Sequence, residues 1–299
     1  MDSLLFFSSN SPVQEVIIPE VSDAGIQLYI KRDDLLHPGI SGNKWRKLKY
    51  NIIDLKSSGK DGIITLGGAF SNHLHAVAVA GDHFGFHTIG IVRGEKPATL
   101  STTLQSCEEL GMKLYYITRS EYKKKLKSKE ISDLINFHPN LVYIPEGGEN
   151  EFAKRGCEEI LTDLDFKPDY VCVACGTGTT LAGMLNTENL KSKIIGFPVL
   201  KGADKSLIEN IESGLKVEQL KSAYQLISDY HFGGYAKFTD ELLNFIINFE
   251  KSSQIPVEQV YTGKMMYGII DLAKKGFFKK GSKILAIHTG GMQGRLPAL

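Results

Sequence analysis

Seven short apolar, β-branched runs, at 62–66, 88–92, 113–117, 141–144, 170–174, 193–197 and 284–288, alternate along the chain with stretches of helical periodicity. That alternation predicts parallel strands joined by crossover helices, because a strand covered by helices on both faces reads as a nearly unbroken apolar run. Three of the runs lead into glycines: Leu66 into Gly67-Gly68, Ala174 into Gly176, and His288 into Gly290-Gly291. Open α/β sheets bind ligands beyond the carboxyl ends of their strands, where glycine lets backbone approach a ligand closely. With 299 residues, the chain is long enough for two modest domains with a cleft.

The formal net charge of +1 offers no field to recruit nucleic acid or an anionic membrane, so the expected ligand is a small molecule. The apolar patch at residues 4–7 is too short for a signal-peptide core and lacks a basic segment before it, and no run approaches a membrane span; a cytoplasmic location is expected. Four cysteines in a chain of this size do not make a disulfide framework. Cys172 and Cys175 are three apart on one expected strand and point to opposite faces, which disfavours chelation and redox pairing. The lysine-rich run at 122–130 is expected to be a solvated helix face.

Three loops carry candidate chemistry. The turn Gly176-Thr177-Gly178-Thr179-Thr180 follows a strand and precedes a helical start at Leu181. Its amides and hydroxyls make a cup for one phosphate group, or else a tight strand-to-helix turn with no ligand. A dinucleotide fingerprint fails here, since Leu181 stands at the third glycine position and 193–198 supplies no acid.

In Ser41-Gly42-Asn43-Lys44-Trp45-Arg46-Lys47-Leu48, helical spacing runs from Trp45 through Leu48, Ile52 and Leu55, so Lys44 and Lys47 flank a helix start. Partial burial there would lower a lysine pKa toward a usable amine; an ordinary exposed lysine fits the same pattern. The third loop, Gly67-Gly68-Ala69-Phe70-Ser71-Asn72-His73, brings a hydroxyl, an amide and an imidazole to a helix expected to begin near Leu74. Such groups cap a helix or hold a carboxylate. His73 and His75 are wrongly spaced for zinc, and G-A-F-S-N is not the G-x-S-x-G of a serine hydrolase.

Together the motifs KRDDL, SGNKWRKL, GGAFSNH, RGEKP, CGTGTTLAGM, GGYAKF, VYTGKMMYG and IHTGG, in this order over nearly the whole chain, resemble the pyridoxal-phosphate (PLP) enzymes that include D-cysteine desulfhydrase and 1-aminocyclopropane-1-carboxylate (ACC) deaminase. The resemblance implies an α/β architecture of the tryptophan-synthase-β-like PLP fold, type II: two domains, each with a mainly parallel twisted sheet flanked by helices. Residues 1–46 and 157–299 would form the large PLP-binding domain and 47–156 a smaller inserted one. Lys44 resembles the Schiff-base lysine, and Lys47 a helper at the phosphate. Gly176, Thr177, Gly178, Thr179 and Thr180 would be the phosphate loop. Asn72 looks like the amide beside the ring's phenolic oxygen. Ser71 is similar to the serine that meets the substrate carboxylate or acts near its α carbon, with His73 beside it in the substrate loop. Tyr235 and Tyr261 resemble two tyrosines on the substrate face. Members of this family act on small amino acids and are usually homodimers.

Two departures from the family pattern bear on function. Ser41-Gly42 replaces a glycine pair, a change that should tolerate the same turn. Thr262 stands where ACC deaminases carry a glutamate facing the pyridine nitrogen, as it does in desulfhydrase-like members. A neutral hydroxyl cannot keep that nitrogen charged, and opening a cyclopropane needs a stronger electron sink than β-elimination of a thiolate. The resemblance therefore points to conversion of D-cysteine to pyruvate, ammonia and sulfide. ACC deaminase, a D-serine-type dehydratase or racemase, and a non-catalytic PLP-binding protein remain as other readings.

Overall fold

A computed structural model of the chain describes residues 10–202, 204–217, 221 and 223–299. The patch at residues 4–7 lies outside them. The strands are β1 Val13–Val16, β2 Gln27–Lys31, β3 Gly62–Gly67, β4 His87–Arg93, β5 Lys113–Ile117, β6 Leu141–Ile144, β7 Tyr170–Cys175, β8 Lys193–Pro198, β9 Tyr224–Leu226 and β10 Lys283–Ile287. They form a six-stranded sheet of order β1-β2-β10-β7-β8-β9 and a four-stranded sheet of order β5-β4-β3-β6. Every pairing is parallel except β1 on β2.

The helices are α1 Pro19–Asp23, α2 Asn43–Ser58, α3 Asn72–Phe84, α4 Thr102–Glu109, α5 Arg119–Lys123, α6 Lys129–Phe137, α7 Glu151–Glu158, α8 Thr179–Leu185, α9 Asp204–Glu212, α10 Asp240–Ser253 and α11 Thr262–Lys274. No helix among the described residues is long and apolar enough to cross a membrane.

All seven apolar runs are strands, and burial on both faces explains why the inner ones, β3, β4, β7, β8 and β10, read as continuous; β5 and β6 are part-exposed edge strands. In β7, Cys172 and Ala174 enter one core with α10 and α11 residues such as Ile246 and Ile269, while Val171, Val173 and Cys175 enter another with Leu181 and Met184 of α8. Cys172 and Cys175 thus sit on opposite faces, and all four cysteines are buried and free. The sequence reading missed β1, β2 and β9. β2 alternates, with Leu28 and Ile30 in the core, β1 is a four-residue edge strand, and β9 has three residues.

The smaller sheet is covered by Trp45, Leu48, Ile52 and Leu55 of α2, none more than 1% exposed. Burial of each such side chain contributes roughly 1.5–3 kcal/mol. The divisions expected at 46/47 and 156/157 fall inside α2 and α7. These helices touch: a Cβ on Gly156 of α7 would lie 1.9 Å from the Arg46 carbonyl oxygen. One on Gly183 of α8 would lie 2.4 Å from Cys157 Cβ. Glycine at both contacts stacks α2, α7 and α8, and so fixes the start of α2 relative to the start of α8.

The lysine-rich run is not one solvated helix face. It is the end of α5, a short 3-10 turn at Lys125–Lys127 and the start of α6. Lys125 has φ +53, which interrupts a helix, and Tyr122 is buried.

Candidate active site

Strand ends and helix starts converge on a cleft of about 480 Å³. The end of β3 supplies Gly68 and the loop to α3, the end of β7 supplies Gly176 and the turn to α8, and the segment after β10 supplies Thr289 and Gly290. Lys44 and Lys47 enter from the first turns of α2.

The start of α2 is held by the segment after β2. Arg46 donates from Nε and Nη2 to the two carboxylate oxygens of Asp33, each at 3.0 Å, with both side chains almost fully buried. The Ser11 hydroxyl donates to the same carboxylate at 2.5 Å. A bidentate pair of this kind fixes orientation as well as distance. Gly42 has φ +65, and a Cβ there would fall 2.0 Å from the Thr289 carbonyl oxygen. Glycine is required at position 42, and the Ser41 that precedes it is tolerated, its hydroxyl donating to the Asp34 carbonyl at 3.3 Å.

Burial, reinforced by the charge of Lys47, pushes the Lys44 amine down to about 7. That amine donates to Asn43 Oδ1 at 2.9 Å, and Asn43 Nδ2 donates to the Thr180 hydroxyl at 2.9 Å. Lys47, also lowered by burial, donates to the Gly147 carbonyl at 2.9 Å. Gly178 has φ +88, and Thr177, Gly178 and Thr180 line the cleft. The Thr179 hydroxyl instead bonds the Thr177 hydroxyl at 3.0 Å.

Across the cleft, Ser71 caps α3 by accepting from Leu74 N at 3.2 Å, which leaves its hydroxyl proton to donate elsewhere. Asn72 Oδ1 accepts from Gln293. The Thr65 hydroxyl donates to the Ile144 carbonyl at 2.7 Å and so accepts from His73 Nε2 at 2.9 Å. That relay leaves His73 Nδ1 bare and, among the described residues, without a partner. Burial and the charges of Lys44 and Lys47 hold this imidazole well below its usual range, so it is neutral.

Tyr235 and Tyr261 meet edge to face, their ring centroids 6.1 Å apart, and burial raises both hydroxyls so that they stay protonated. Buried Lys264 donates to the carbonyls of His231 and Gly234, each at 2.8 Å, and so holds the loop that carries Tyr235.

Thr262 is not where the family pattern led. It is fully buried at the start of α11 and does not line the cleft. Its hydroxyl accepts from Glu258 N at 3.0 Å and donates to the Glu258 carboxylate at 3.2 Å. That carboxylate also accepts from the backbone N–H groups of Val260, Tyr261 and Thr262 at 2.6–2.7 Å. Thr289 is the threonine that faces the cleft at this end. The sequence reading did not single out Thr289, Arg93 or Glu146 as site residues, although all three line the cleft; Thr289 and Arg93 stand inside the quoted motifs IHTGG and RGEKP.

A lysine amine half neutral near pH 7, set against a turn rich in amides and hydroxyls between two mainly parallel sheets, defines an enzyme that works through an aldehyde cofactor with a phosphate tail. The comparisons agree. A model of the pyridoxal-phosphate dependent enzymes matches residues 9–290. The putative 1-aminocyclopropane-1-carboxylate deaminase of Pyrococcus horikoshii is 34% identical over 95% of this chain and 90% of its own length. The mitochondrial bifunctional D-cysteine desulfhydrase/1-aminocyclopropane-1-carboxylate deaminase of Arabidopsis thaliana is 29% identical over 95% of this chain and 77% of its own length. A crystal structure described as that of an ACC deaminase homologue superposes with a TM-score of 0.81 at 33% identity, covering 97% of this chain and 91% of the other.

The chain belongs to the fold type II pyridoxal-phosphate dependent enzymes, in the ACC deaminase and D-cysteine desulfhydrase family, and pyridoxal 5'-phosphate is its cofactor. The residues present fit that group: a desolvated amine for the aldehyde, and a glycine-threonine turn with Lys47 beside it for the phosphate.

Proposed function

We propose that the protein catalyses β-elimination on a small polar amino acid, with D-cysteine as substrate and pyruvate, ammonia and sulfide as products. One observation carries the reading. The only carboxylate lining the cleft among the described residues is Glu146, and it accepts from the Tyr122 hydroxyl at 2.7 Å and from Lys125. Thr289, Ser71, Tyr235 and Tyr261 give the rest of the wall neutral hydroxyls. Such a wall suits departure of a thiolate, which carries electrons away itself, better than opening of a cyclopropane.

The bound cofactor supplies the electron sink that makes the substrate α proton acidic. Lys44 holds the cofactor and, once its amine is free and neutral, takes that proton, with Asn43 Oδ1 orienting the amine. Lys47 and the turn at Gly176, Thr177, Gly178 and Thr180 seat the phosphate, with Thr179 contributing backbone at the start of α8 rather than its hydroxyl. Asn72 uses its Nδ2 at the cofactor's ring oxygen. Ser71 and the amides of the first turn of α3 orient the substrate carboxylate, while His73, whose Nε2 proton is spent on Thr65, offers the cleft only an acceptor at Nδ1. Tyr235 and Tyr261, kept protonated by burial, donate toward the leaving sulfur. We assign the two sheets to two domains that share α2 and α7, and the working protein to a cytoplasmic homodimer.

ACC deamination is the second reading, favoured by the names of the Pyrococcus horikoshii relative and the solved homologue. A panel of D- and L-amino acids plus ACC, offered to the PLP-loaded protein and scored for oxo acid, ammonia and sulfide, separates the two. Pyruvate with sulfide from D-cysteine supports elimination. 2-Oxobutyrate from ACC without sulfide from cysteine overturns it.

A further inference from the structure

Four lysine, arginine and glutamate side chains line the cleft. Three are occupied: Lys44 by the cofactor on the reading above, Lys47 at the Gly147 carbonyl, and Glu146 with Tyr122 and Lys125. The fourth, Arg93, makes no ion pair with any described residue.

Its position is specific. Arg93 ends β4, one residue past the pairing of Val92 with Gly67, so it stands beside Gly68 at the mouth of the loop that carries Ser71 and Asn72. A Cβ on Gly68 would lie 3.8 Å from Arg93 Nη2. Arg93 is solvent-exposed and lines the cleft beside Gly68, and its charge acts on the Tyr235 hydroxyl as well as on Tyr122 and Lys125. A planar donor fork with no acceptor among the described residues, at the ligand end of a parallel strand, matches an oxyanion better than any neutral group.

We propose that Arg93 is a specificity-determining residue. It equips the same site for α-amino acids with a second negatively charged group on or beyond the β carbon, such as a carboxylate or a phosphate ester. The inference rests on the proposed elimination. With O-phosphoserine, Lys44 takes the α proton and the Cβ–O bond breaks with its electron pair on the departing phosphate. Water then replaces the amine, so that one water added to the substrate accounts for pyruvate, ammonia and phosphate.

The test uses the PLP-loaded protein with Arg93→Gln and Arg93→Lys. The first readout is binding, from cofactor absorbance titrated with both enantiomers of aspartate and of alanine. Aspartate of one hand should bind wild type about tenfold tighter than the matching alanine, and Arg93→Gln should abolish that preference, with Arg93→Lys between them. The second is the ratio of kcat/KM for O-phosphoserine to that for β-chloroalanine, which should fall at least about tenfold in Arg93→Gln. An aspartate preference absent from wild type, or retained in Arg93→Gln, overturns the role of Arg93. Failure of wild type to release pyruvate from D-cysteine and β-chloroalanine overturns the elimination itself and leaves the binding comparison to judge Arg93 separately.

Discussion

Asn43 donates through Nδ2 to the Thr180 hydroxyl over 2.9 Å while its Oδ1 accepts the Lys44 amine at the same distance. One amide therefore ties the cofactor lysine at the start of α2 to the phosphate turn at the start of α8. The stacking of α2, α7 and α8 through Gly156 and Gly183 brings those two starts together, so the bond reads out the packing behind it.

Asn43→Ala should weaken cofactor capture. Two hydrogen bonds of about 1 kcal/mol each correspond to a loss of roughly thirtyfold in PLP affinity. Absorbance titration of the apoprotein measures it. Asn43→Asp separates orientation from charge: it keeps an acceptor for Lys44, places a carboxylate beside it, and should raise the amine above about 7. Capture of PLP by Asn43→Asp should then need a higher pH than wild type. An unmoved pH profile would mean that Asn43 does not face the amine in solution.

Lys44 makes two further demands. Lys44→Ala should lose turnover by two to four orders of magnitude or more, and borohydride reduction followed by peptide mass spectrometry should find the pyridoxyl group on the Lys44 peptide of wild type only. The amine sits at about 7 in the fold against 10.5 when unfolded. Between those pH values the unfolded chain holds a proton that the folded chain lacks, so this group's contribution to apoprotein stability rises with pH across that window. Denaturant melts of wild type against Lys44→Met at pH 7 and pH 9 should show wild type gaining on the variant at the higher pH.

Thr262→Glu tests a placement that differs from the family pattern. The Thr262 side chain is fully buried against the Glu258 carboxylate, so a glutamate there would press a second carboxylate into a dry site. We expect a loss of several kcal/mol, read as a fall in melting temperature, rather than a retuned cofactor ring. Thr262→Val should cost about 1–3 kcal/mol by stranding the Glu258 amide, and Thr262→Ser should be nearly neutral. A Thr262→Glu protein as stable as wild type would show that the side chain can turn into the cleft.

The inner strands β3, β4, β7, β8 and β10 were legible because burial on both faces leaves their apolar runs unbroken, and the edge strands β5 and β6 because their runs are rich in aromatic and aliphatic residues; β2 was not, because Gln27 and Lys31 bound a run of only three apolar residues. The three candidate loops were legible because glycines mark strand ends. Lys44, Lys47, Ser71, Asn72, His73, Gly176, Thr177, Gly178, Thr180, Tyr235 and Tyr261 all line the cleft. Thr179 and Thr262 do not, because a motif fixes where a residue sits in the first turn of a helix and not which way its side chain leaves it. Arg93 and Thr289 end or follow strands of different sheets, and only the packed fold brings them into one cleft.

Lys264 offers the remaining prediction, since it acts at a distance from the chemistry. It lies one turn into α11 with no exposed surface, and burial lowers it to about 8. Its amine is spent on the carbonyls of His231 and Gly234, the backbone that delivers Tyr235 to the cleft. Gly233 and Gly234 have φ +90 and +115, so little in the loop's own conformational preference holds it in place. Lys264→Met fills the same space but strands both acceptors, with a cost of about 1–3 kcal/mol in stability. If the loop positions Tyr235 for substrate, KM should rise severalfold while kcat changes less, because Lys44 and the phosphate turn are untouched. Equal falls in kcat and kcat/KM with KM unchanged would instead place Tyr235 in the transition state alone, and wild-type kinetics throughout would show that other contacts hold the loop.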